Sequence, residues 1–468
     1  MTERISHLVV PLAPQVTATA TDMRTTDTAQ LQLELGASGA VSPLLGADAH
    51  RRGDEESTNG ASTATGTTTP GSSTSTMATR TRTTRTTSCP SCSSADLSAA
   101  RHADLSFATF VRAYLDCRRQ KRTSSSARAF EIVQESRLYE IYRAVMGGTY
   151  TPGPSVCFVS LRPKPREVWA AAFADRVVHH FLYNHIAPSI ERTFIADSCA
   201  CLVGRGTLYA AERLAAKIRS ITQGGRRRAF YLKCDLANFF VSIDKPLLGR
   251  QLDSRIPDPF WRDLARVILE HDPRVDVELK ATSHELALIP FHKSLFNQPA
   301  HLGLPIGNLP SQFFANVYLD PLDQFVKHRL RARHYVRYVD DFVLLHESPR
   351  QLNAWLAEIS AFVDRGLRVR LNTSKTILQP LERGVDFVGQ LIHPWRTITR
   401  RRTVRAAVHR LLTMPADKVY QAANSYLGLV RQPSHSHHDQ CLIANAALDR
   451  KHAVNHRLTK VYHRANQT

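Results

Sequence analysis

Three acidic residues have the types and positions for metal chemistry: Asp235, Asp340 and Asp341. Asp340 and Asp341 are adjacent, and they interrupt an apolar and aromatic run that extends from Tyr335 to Leu345. Burying unpaired carboxylates in such a run would cost several kcal/mol each unless cations compensate them. A bound metal is the simplest compensation, and a structural ion pair is the alternative that these two acids leave open.

The elements that must position these acids are two predicted strands and a turn. The run around the acid pair predicts a β-hairpin, with strands at Tyr335–Tyr338 and Phe342–His346 and the acids at the turn. Phe230–Leu236 predicts another strand, whose period of two places Asp235 on its polar face. Carboxylates from separate elements can hold two metal ions about 3.5–4 Å apart for nucleotidyl transfer. A strand-end acid that caps the next helix is the alternative for Asp235.

Positive charge is concentrated outside the first hundred residues. The chain has 468 residues and a formal net charge of +20. Residues 1–100 hold 7 Lys+Arg and 9 Asp+Glu, which leaves 54 and 32 for the remainder. Such a field attracts polyanions, of which nucleic acid is the commonest, and an inert basic surface is the alternative. The length allows two or three domains.

Residues 1–100 are rich in Thr, Ser, Ala and Gly, which predicts a disordered tail; Met77 within it is a candidate alternative start of translation. Cys89 and Cys92 form one C-x-x-C pair, for which a polar tail is favoured over a zinc site. The eight cysteines suggest no disulfide framework, and no signal peptide pattern opens the chain. No apolar run approaches the ~20 residues of a membrane helix. We therefore expect a cytoplasmic protein with no membrane partner.

Two loops have compositions suited to nucleotide contacts. Helical periodicity from Leu105 to Met146 and a strand at Ser155–Leu161 precede the loop Arg162–Arg166. Its three cations lie on a backbone stiffened by proline, an arrangement suited to binding a triphosphate. The loop Leu302–Gln312 is rich in Gly and Pro and opens a helix, so its backbone can approach a base pair closely. The last seventy residues predict basic helices.

Taken together, these segments resemble, in order, the fingers and palm motifs of bacterial reverse transcriptases: Arg162–Arg166, Asp235–Asp244, Gly303–Gln312, Tyr338–Asp341, Lys375 and Phe387–Gly389. The resemblance covers roughly residues 105–450. It implies an α+β right-hand polymerase fold, with fingers, a palm built on an antiparallel sheet and a helical thumb. The expected divisions are a tail at 1–100, N-terminal helices and fingers at 101–228, a palm containing part of the fingers at 229–392 and a basic thumb at 393–468.

The resemblance also implies roles for individual residues. The metal-binding catalytic acids are Asp235, Asp340 and Asp341, helped by the main-chain carbonyl of Leu236. The residues expected at the nucleotide are Lys164 and Arg166 on the triphosphate, Phe240 as a gate against the ribose 2′-hydroxyl, Ile306, Gln312, and Lys375 as proton donor to pyrophosphate. The residues expected to grip the primer end are Phe387 and Gly389. The implied cofactors are two Mg²⁺ ions, with Mn²⁺ as substitute; the partners are an RNA template, a DNA or RNA primer and dNTPs.

The second loop carries the clue to a subtype. Its sequence Leu-Pro-Ile-Gly-Asn-x-x-Ser-Gln, which contains Ile306 and ends at Gln312, resembles the reverse transcriptases of diversity-generating retroelements. In that family the enzyme copies a template-repeat RNA with errors at adenines, together with an accessory protein. Ile306 stands where group II intron enzymes usually have Gln, so a hydrogen-bonding partner beside the nascent pair is absent and discrimination loosens. Val388-Gly389-Gln390 and Cys201-Leu202 depart from the family pattern, at the primer grip and at one fingers contact.

The expected function is therefore that of an enzyme, an RNA-directed DNA polymerase of a diversity-generating retroelement. A retron-like or antiphage-defence reverse transcriptase is the alternative, since it shares the palm. A basic RNA-binding scaffold without polymerase activity is a second alternative, which the three acids disfavour because a scaffold has no need of converging carboxylates.

Overall fold

The computed structural model describes residues 105–119, 124–161 and 164–463. The tail at 1–100 with Met77 and the Cys89–Cys92 pair, and Arg162 of the cationic loop, lie outside the described residues. Among the described residues, no helix combines the length and the apolar composition needed to cross a membrane.

Helices dominate the first part of the described chain and flank its central sheet. Their bounds are α1 Phe107–Arg118, α2 Ser125–Ile132, α3 Gln134–Met146, α4 Phe173–Glu191, α5 Thr207–Ile221, α6 Phe239–Ser242, α7 Lys245–Asp253, α8 Pro259–Glu270, α9 Ser283–Ala287, α10 Leu309–Gln324 and α11 Pro349–Leu367. Ser106 and Ser124 begin α1 and α2 as N-caps, because their side chains accept hydrogen bonds from free N–H groups of the first turn. A π-helical turn, Phe325–Arg329, continues α10.

The strands form small antiparallel sheets and one mixed sheet. Their bounds are β1 Ser155–Ser160, β2 Arg166–Ala171, β3 Phe230–Asp235, β4 Val277–Leu279, β5 His334–Tyr338, β6 Asp341–His346, β7 Ile377–Pro380, β8 Val385–Phe387, β9 Gln390–Ile392, β10 Thr397–Thr399, β11 His452–Val454 and β12 Val461–His463. The order β2-β1-β4 makes the mixed sheet, in which β2 is antiparallel and β4 parallel to β1.

The central sheet has the order β5-β6-β3-β7 and is antiparallel throughout. The predicted alternation of Phe230–Leu236 is present: Leu232 and Cys234 pack into the main core with α4, α10 and α11, whereas Tyr231 faces a second core formed with α5 and β8–β9. Both faces of the sheet are therefore covered, which fixes the positions of the strand ends where the acids lie.

The C-terminal part has a core of its own. Its helices are α12 Arg401–Thr413, α13 Ala416–Val430 and α14 His437–Asp449. Buried side chains such as Leu411, Leu427 and Ile443 join these helices, and the β11–β12 hairpin closes the unit. The unit lies where the sequence predicts a basic helical thumb; the predicted domain boundaries stay a prediction.

Candidate active site

The three predicted acids lie at one end of the central sheet. Asp235, the last residue of β3, is the cross-strand partner of Asp341, the first residue of β6. Val339 and Asp340 form the turn between β5 and β6, and the Leu236 N–H donates to the Asp340 carbonyl at 3.3 Å. The predicted hairpin is thus present with one correction: Asp341 belongs to the strand, where sheet pairing fixes its direction, and only Asp340 lies at the turn.

The carboxyl groups act on one another electrostatically. Burial raises the pKa of Asp340 to about 6, and the negative charges of Asp235 and Asp341 contribute to this rise. Burial also raises the pKa of Asp341, whereas the nearby Lys233 ammonium lowers it. Since like charges disfavour ionisation at short range, the site holds more negative charge than it can easily accommodate without cations.

Two lysines supply part of the missing positive charge. The Lys375 Nζ lies 2.7 and 2.8 Å from the two carboxylate oxygens of Asp235, and the Asn372 Nδ2 donates to the same carboxylate at 3.1 Å. The Lys233 Nζ lies 3.2 Å from Asp341 Oδ2. Lys233 was not among the residues predicted from the sequence, although its place two residues before Asp235 puts it on the same face of β3.

The donor set suits a hard divalent cation. In the part of the chain that the structure describes, no group of three or more His, Cys, Asp or Glu side chains is arranged to hold a metal ion. Instead, the Lys375 ammonium group is paired with Asp235 and the Lys233 ammonium group with Asp341. These two groups supply positive charge beside the acids. Carboxylate and carbonyl oxygens are the ligands that Mg²⁺ prefers, and the residues present therefore fit it chemically.

A buried arginine holds the turn that carries Asp340. Arg337 is 1% exposed, and its guanidinium donates to both carboxylate oxygens of Asp323 at 2.7 and 2.8 Å. It also donates to Ser198 Oγ at 2.9 Å and to the main-chain carbonyl of Val339 at 3.0 Å. The Tyr335 hydroxyl donates to Asp323 at 2.7 Å. This network fastens the turn to α10 and to the segment beside β5.

The turn itself is strained. Val339 has φ +54°, a conformation that β-branched residues rarely adopt and that persists only where the surroundings impose it. The hydrogen bond from Arg337 to the Val339 carbonyl is one such constraint. Arg337 was not predicted to hold the turn, although a cation inside a strand that is otherwise apolar and aromatic is a signal for such a role.

The family comparison agrees with this arrangement. The model of the family described as reverse transcriptase (RNA-dependent DNA polymerase) matches residues 165–392. The chain contains a reverse transcriptase domain. A domain of this family is typical of RNA-directed DNA polymerases, which are nucleotidyltransferases. The matched range holds β2 to β9 and with them the three acids, both lysines and Arg337, so the predicted α+β polymerase fold is confirmed.

Other comparisons show likeness only at a distance. Among solved structures, 240 chains match. One is apo telomerase from Candida tropicalis truncated from its C-terminal domain; it is 11% identical, with a TM-score of 0.38 over 53% of this chain and 56% of that chain. The chain thus spans a little over half the length of that telomerase chain. No curated protein matches it.

In the reverse transcriptase domain, the glycine-rich loop before α10 is fastened to β2. The Trp169 N–H donates to the Ile306 carbonyl at 2.7 Å, and the Ala171 N–H donates to Asn308 Oδ1 at 3.1 Å. Gly307 has φ +126°, and a Cβ there would lie 2.7 Å from the Trp169 carbonyl oxygen, so only glycine fits. The loop therefore holds Ile306, which is half-buried, in a fixed position.

The other residues that the sequence predicts at the nucleotide lie on several elements. Phe240 is half-buried in α6. Its main-chain carbonyl accepts a hydrogen bond from the Leu304 N–H at 2.8 Å, which joins it to the same loop. Gln312 is half-buried in the first turn of α10. Lys164 and Arg166 are exposed just before and at the start of β2, outside the cluster of acids and lysines.

The predicted primer grip is the β8–β9 hairpin. The Phe387 side chain is fully buried in the second core, so it is the support of the hairpin and not its contact surface. Val388 and Gly389 form the turn with φ +42° and +91°, and a Cβ at Gly389 would meet nothing within 4 Å. A primer contact at this hairpin therefore falls to the turn, of which Gly389 is the open part.

Proposed function

We propose that the protein makes DNA on an RNA template by nucleotidyl transfer at the three-acid site. Asp235, Asp340 and Asp341, with the Leu236 carbonyl, would hold two Mg²⁺ ions, for which Mn²⁺ could substitute. The observation that carries the proposal is that these acids, from β3 and the β5–β6 hairpin, lie at the same end of the sheet inside a reverse transcriptase domain. When bound, the ions supply positive charge for the attacking primer 3′-hydroxyl and the departing pyrophosphate.

The protein's own side chains bind and orient the nucleotide in this proposal. Lys164 and Arg166 are exposed cations that bind the triphosphate of the incoming dNTP. Phe240, fixed beside the glycine-rich loop, excludes a ribose 2′-hydroxyl. Lys375 already lies at the carboxylate of Asp235, from where it gives a proton to pyrophosphate.

Lys375→Gln is expected to raise the affinity of the protein for Mn²⁺ several-fold. The reason is that Asp235 no longer shares both of its oxygens with an ammonium group, whose bonds must break before a metal can bind. Titration of the protein with Mn²⁺, followed by electron paramagnetic resonance without primer or dNTP, measures this affinity directly. The matched control is Lys280→Gln, since Lys280 is an exposed partner of Glu278. An unchanged Mn²⁺ affinity in Lys375→Gln would show that the two cations do not compete.

We further propose that the enzyme belongs to a diversity-generating retroelement and works with an accessory protein in the cytoplasm. The sequence of the glycine-rich loop supports this subtype. The hydrogen bond from the Trp169 N–H to the Ile306 carbonyl supports it as well. This bond fixes the loop backbone, so the identity of the Ile306 side chain decides what the loop presents to a base pair.

Sequencing of the RNA and cDNA that copurify with the protein tests the subtype. We expect cDNA errors concentrated at template adenines, and a lower adenine error rate in Ile306→Gln, because the amide restores a hydrogen-bonding partner. Leu309→Gln, a nearby half-buried position, is the control. Errors spread evenly over the four bases, or cDNA made from a structured non-coding RNA, would favour the retron-like or defence alternative.

A further inference from the structure

Three cations converge on one buried carboxylate at the edge of the central sheet. Asp197 is 3% exposed, and its oxygens lie 2.6 Å from Arg213 Nη2, 3.0 Å from Lys217 Nζ and 2.9 Å from Lys327 Nζ. One cation would be enough to neutralise Asp197. The other two positive charges are therefore an excess that Asp197 holds in fixed positions.

Further cations follow Lys327 along the chain. Arg329, Arg331 and Arg333 are exposed, and no Asp or Glu occurs between Asp323 and Asp340. The π-helical turn that contains Lys327 and Arg329 belongs to a rare class of turn that is concentrated at functional sites. We call the six cations the edge patch: Arg213, Lys217, Lys327, Arg329, Arg331 and Arg333.

The three cations around Asp197 are close enough to repel one another. Burial lowers the pKa of Lys217, Asp197 opposes this, and the charges of Lys327 and Arg213 lower it further. Burial likewise lowers the pKa of the neighbouring His334, and the charges of Lys217, Arg333 and Lys327 add to this effect. A polyanion bound over the patch would relieve this repulsion.

The edge patch lies outside the catalytic site but beside β5, the strand that leads to the acids. Asp197 is joined to β5 by its carbonyl, which accepts from the Arg337 N–H at 2.9 Å, so it covers the free edge of the sheet. His334 begins β5 and Tyr338 ends it beside the acids, four residues or about 13 Å further on at ~3.3 Å per residue. A nucleic acid engaged at the acids can therefore extend to the patch.

The chemistry of the patch suits a phosphate backbone better than a protein surface. Protein interfaces are built around apolar and aromatic anchors. Between residues 324 and 338, all of which the structure describes, no large apolar side chain is exposed. The patch instead offers guanidinium and ammonium groups, which bind phosphates without regard to sequence.

We propose that the edge patch is a second RNA site, which binds the phosphodiester backbone of template RNA outside the catalytic site. The choice of RNA rests on the proposed function, because RNA is what the enzyme copies. Binding at the patch does not itself require the chemistry, and the two proposals can fail separately.

The test is the triple variant Arg329→Gln/Arg331→Gln/Arg333→Gln, whose exposed positions leave the core intact. Its control is Arg137→Gln/Arg250→Gln/Arg350→Gln, which removes the same charge from exposed positions elsewhere. Fluorescence anisotropy measures binding of a short blunt primer–template duplex and of the same duplex with a long single-stranded RNA extension. We expect the patch variant to bind the extended RNA about tenfold more weakly, with a salt slope lower by about 2 at ~0.7 per phosphate. The patch variant is expected to bind the blunt duplex as tightly as the wild type does. The control variant is expected to bind both duplexes as tightly as the wild type does.

Equal binding of extended RNA by the patch variant and the control variant would overturn the proposal. The proposal would also be overturned if polyglutamate competed for the wild type as strongly as RNA does and this competition were lost in the patch variant. That result would assign the patch to an acidic protein. If the wild type copies RNA while the patch variant binds normally, the second site alone is wrong. If the patch variant loses RNA binding while the wild type makes no cDNA, the proposed function alone is wrong.

Discussion

Asp340→Asn and Asp341→Asn are each expected to abolish primer extension on RNA in Mg²⁺, by about three orders of magnitude or more. Loss of one carboxylate removes a ligand of the proposed metal ions, whose positive charge would stabilise the transition state. A thousandfold loss of rate corresponds to ~4 kcal/mol. RNA binding is expected to remain close to wild type, because binding depends on basic residues elsewhere. Gel-resolved extension of a labelled primer, with RNA binding measured in parallel, checks both parts.

Unfolding is not expected to explain the loss in Asp340→Asn. The folded-state pKa of Asp340, about 6, lies above that of an ordinary aspartate, so ionisation at neutral pH costs free energy of folding. Asn removes that cost, and the melting temperature should stay the same or rise. Asp364→Asn, at an exposed surface pair with Arg370, is the control. Normal synthesis by either acid variant would show that the chemistry lies elsewhere.

Alternation and turn composition were sufficient to predict the strands that carry the three acids. The pattern of Phe230–Leu236 predicted which face of β3 carries Asp235, and the structure has β3 at Phe230–Asp235. The same reasoning placed both hairpin acids at the turn, although Asp341 pairs with Asp235 inside the sheet. Register between distant strands caused this difference, because a single strand's pattern does not contain the position of its partner.

The residues that hold the acids in position could not be predicted from the sequence for the same reason. The pairs Lys233–Asp341 and Arg337–Asp323 could be suspected from unusual charges in apolar strands, but their partners depend on packing. Trp169 meets Ile306 across more than a hundred residues, and only the fold brings them together. Local sequence therefore predicted the chemical groups, whereas the residues that position them required the tertiary structure.

Arg337→Met is expected to reduce both stability and synthesis. It leaves the Asp323 carboxylate, which is fully buried, without its partner, and removal of one member of a buried pair costs about 3–5 kcal/mol. It also removes the donor to the Val339 carbonyl, so that the strained turn with Asp340 loses a constraint. Thermal unfolding and the rate of primer extension measure the two effects separately.

A compensated variant separates positioning from stability. Adding Asp323→Leu and Tyr335→Phe to Arg337→Met removes the buried charge and the hydroxyl that Asp323 accepts from, so most of the lost stability should return. Synthesis should not return with it, because the Val339 carbonyl still lacks its donor and Asp340 is no longer held in place. Mg²⁺ titration of the extension rate should then show a lower maximum rate and a higher half-saturating concentration. Recovery of synthesis together with stability would mean that Arg337 serves the fold alone and that other contacts hold the turn.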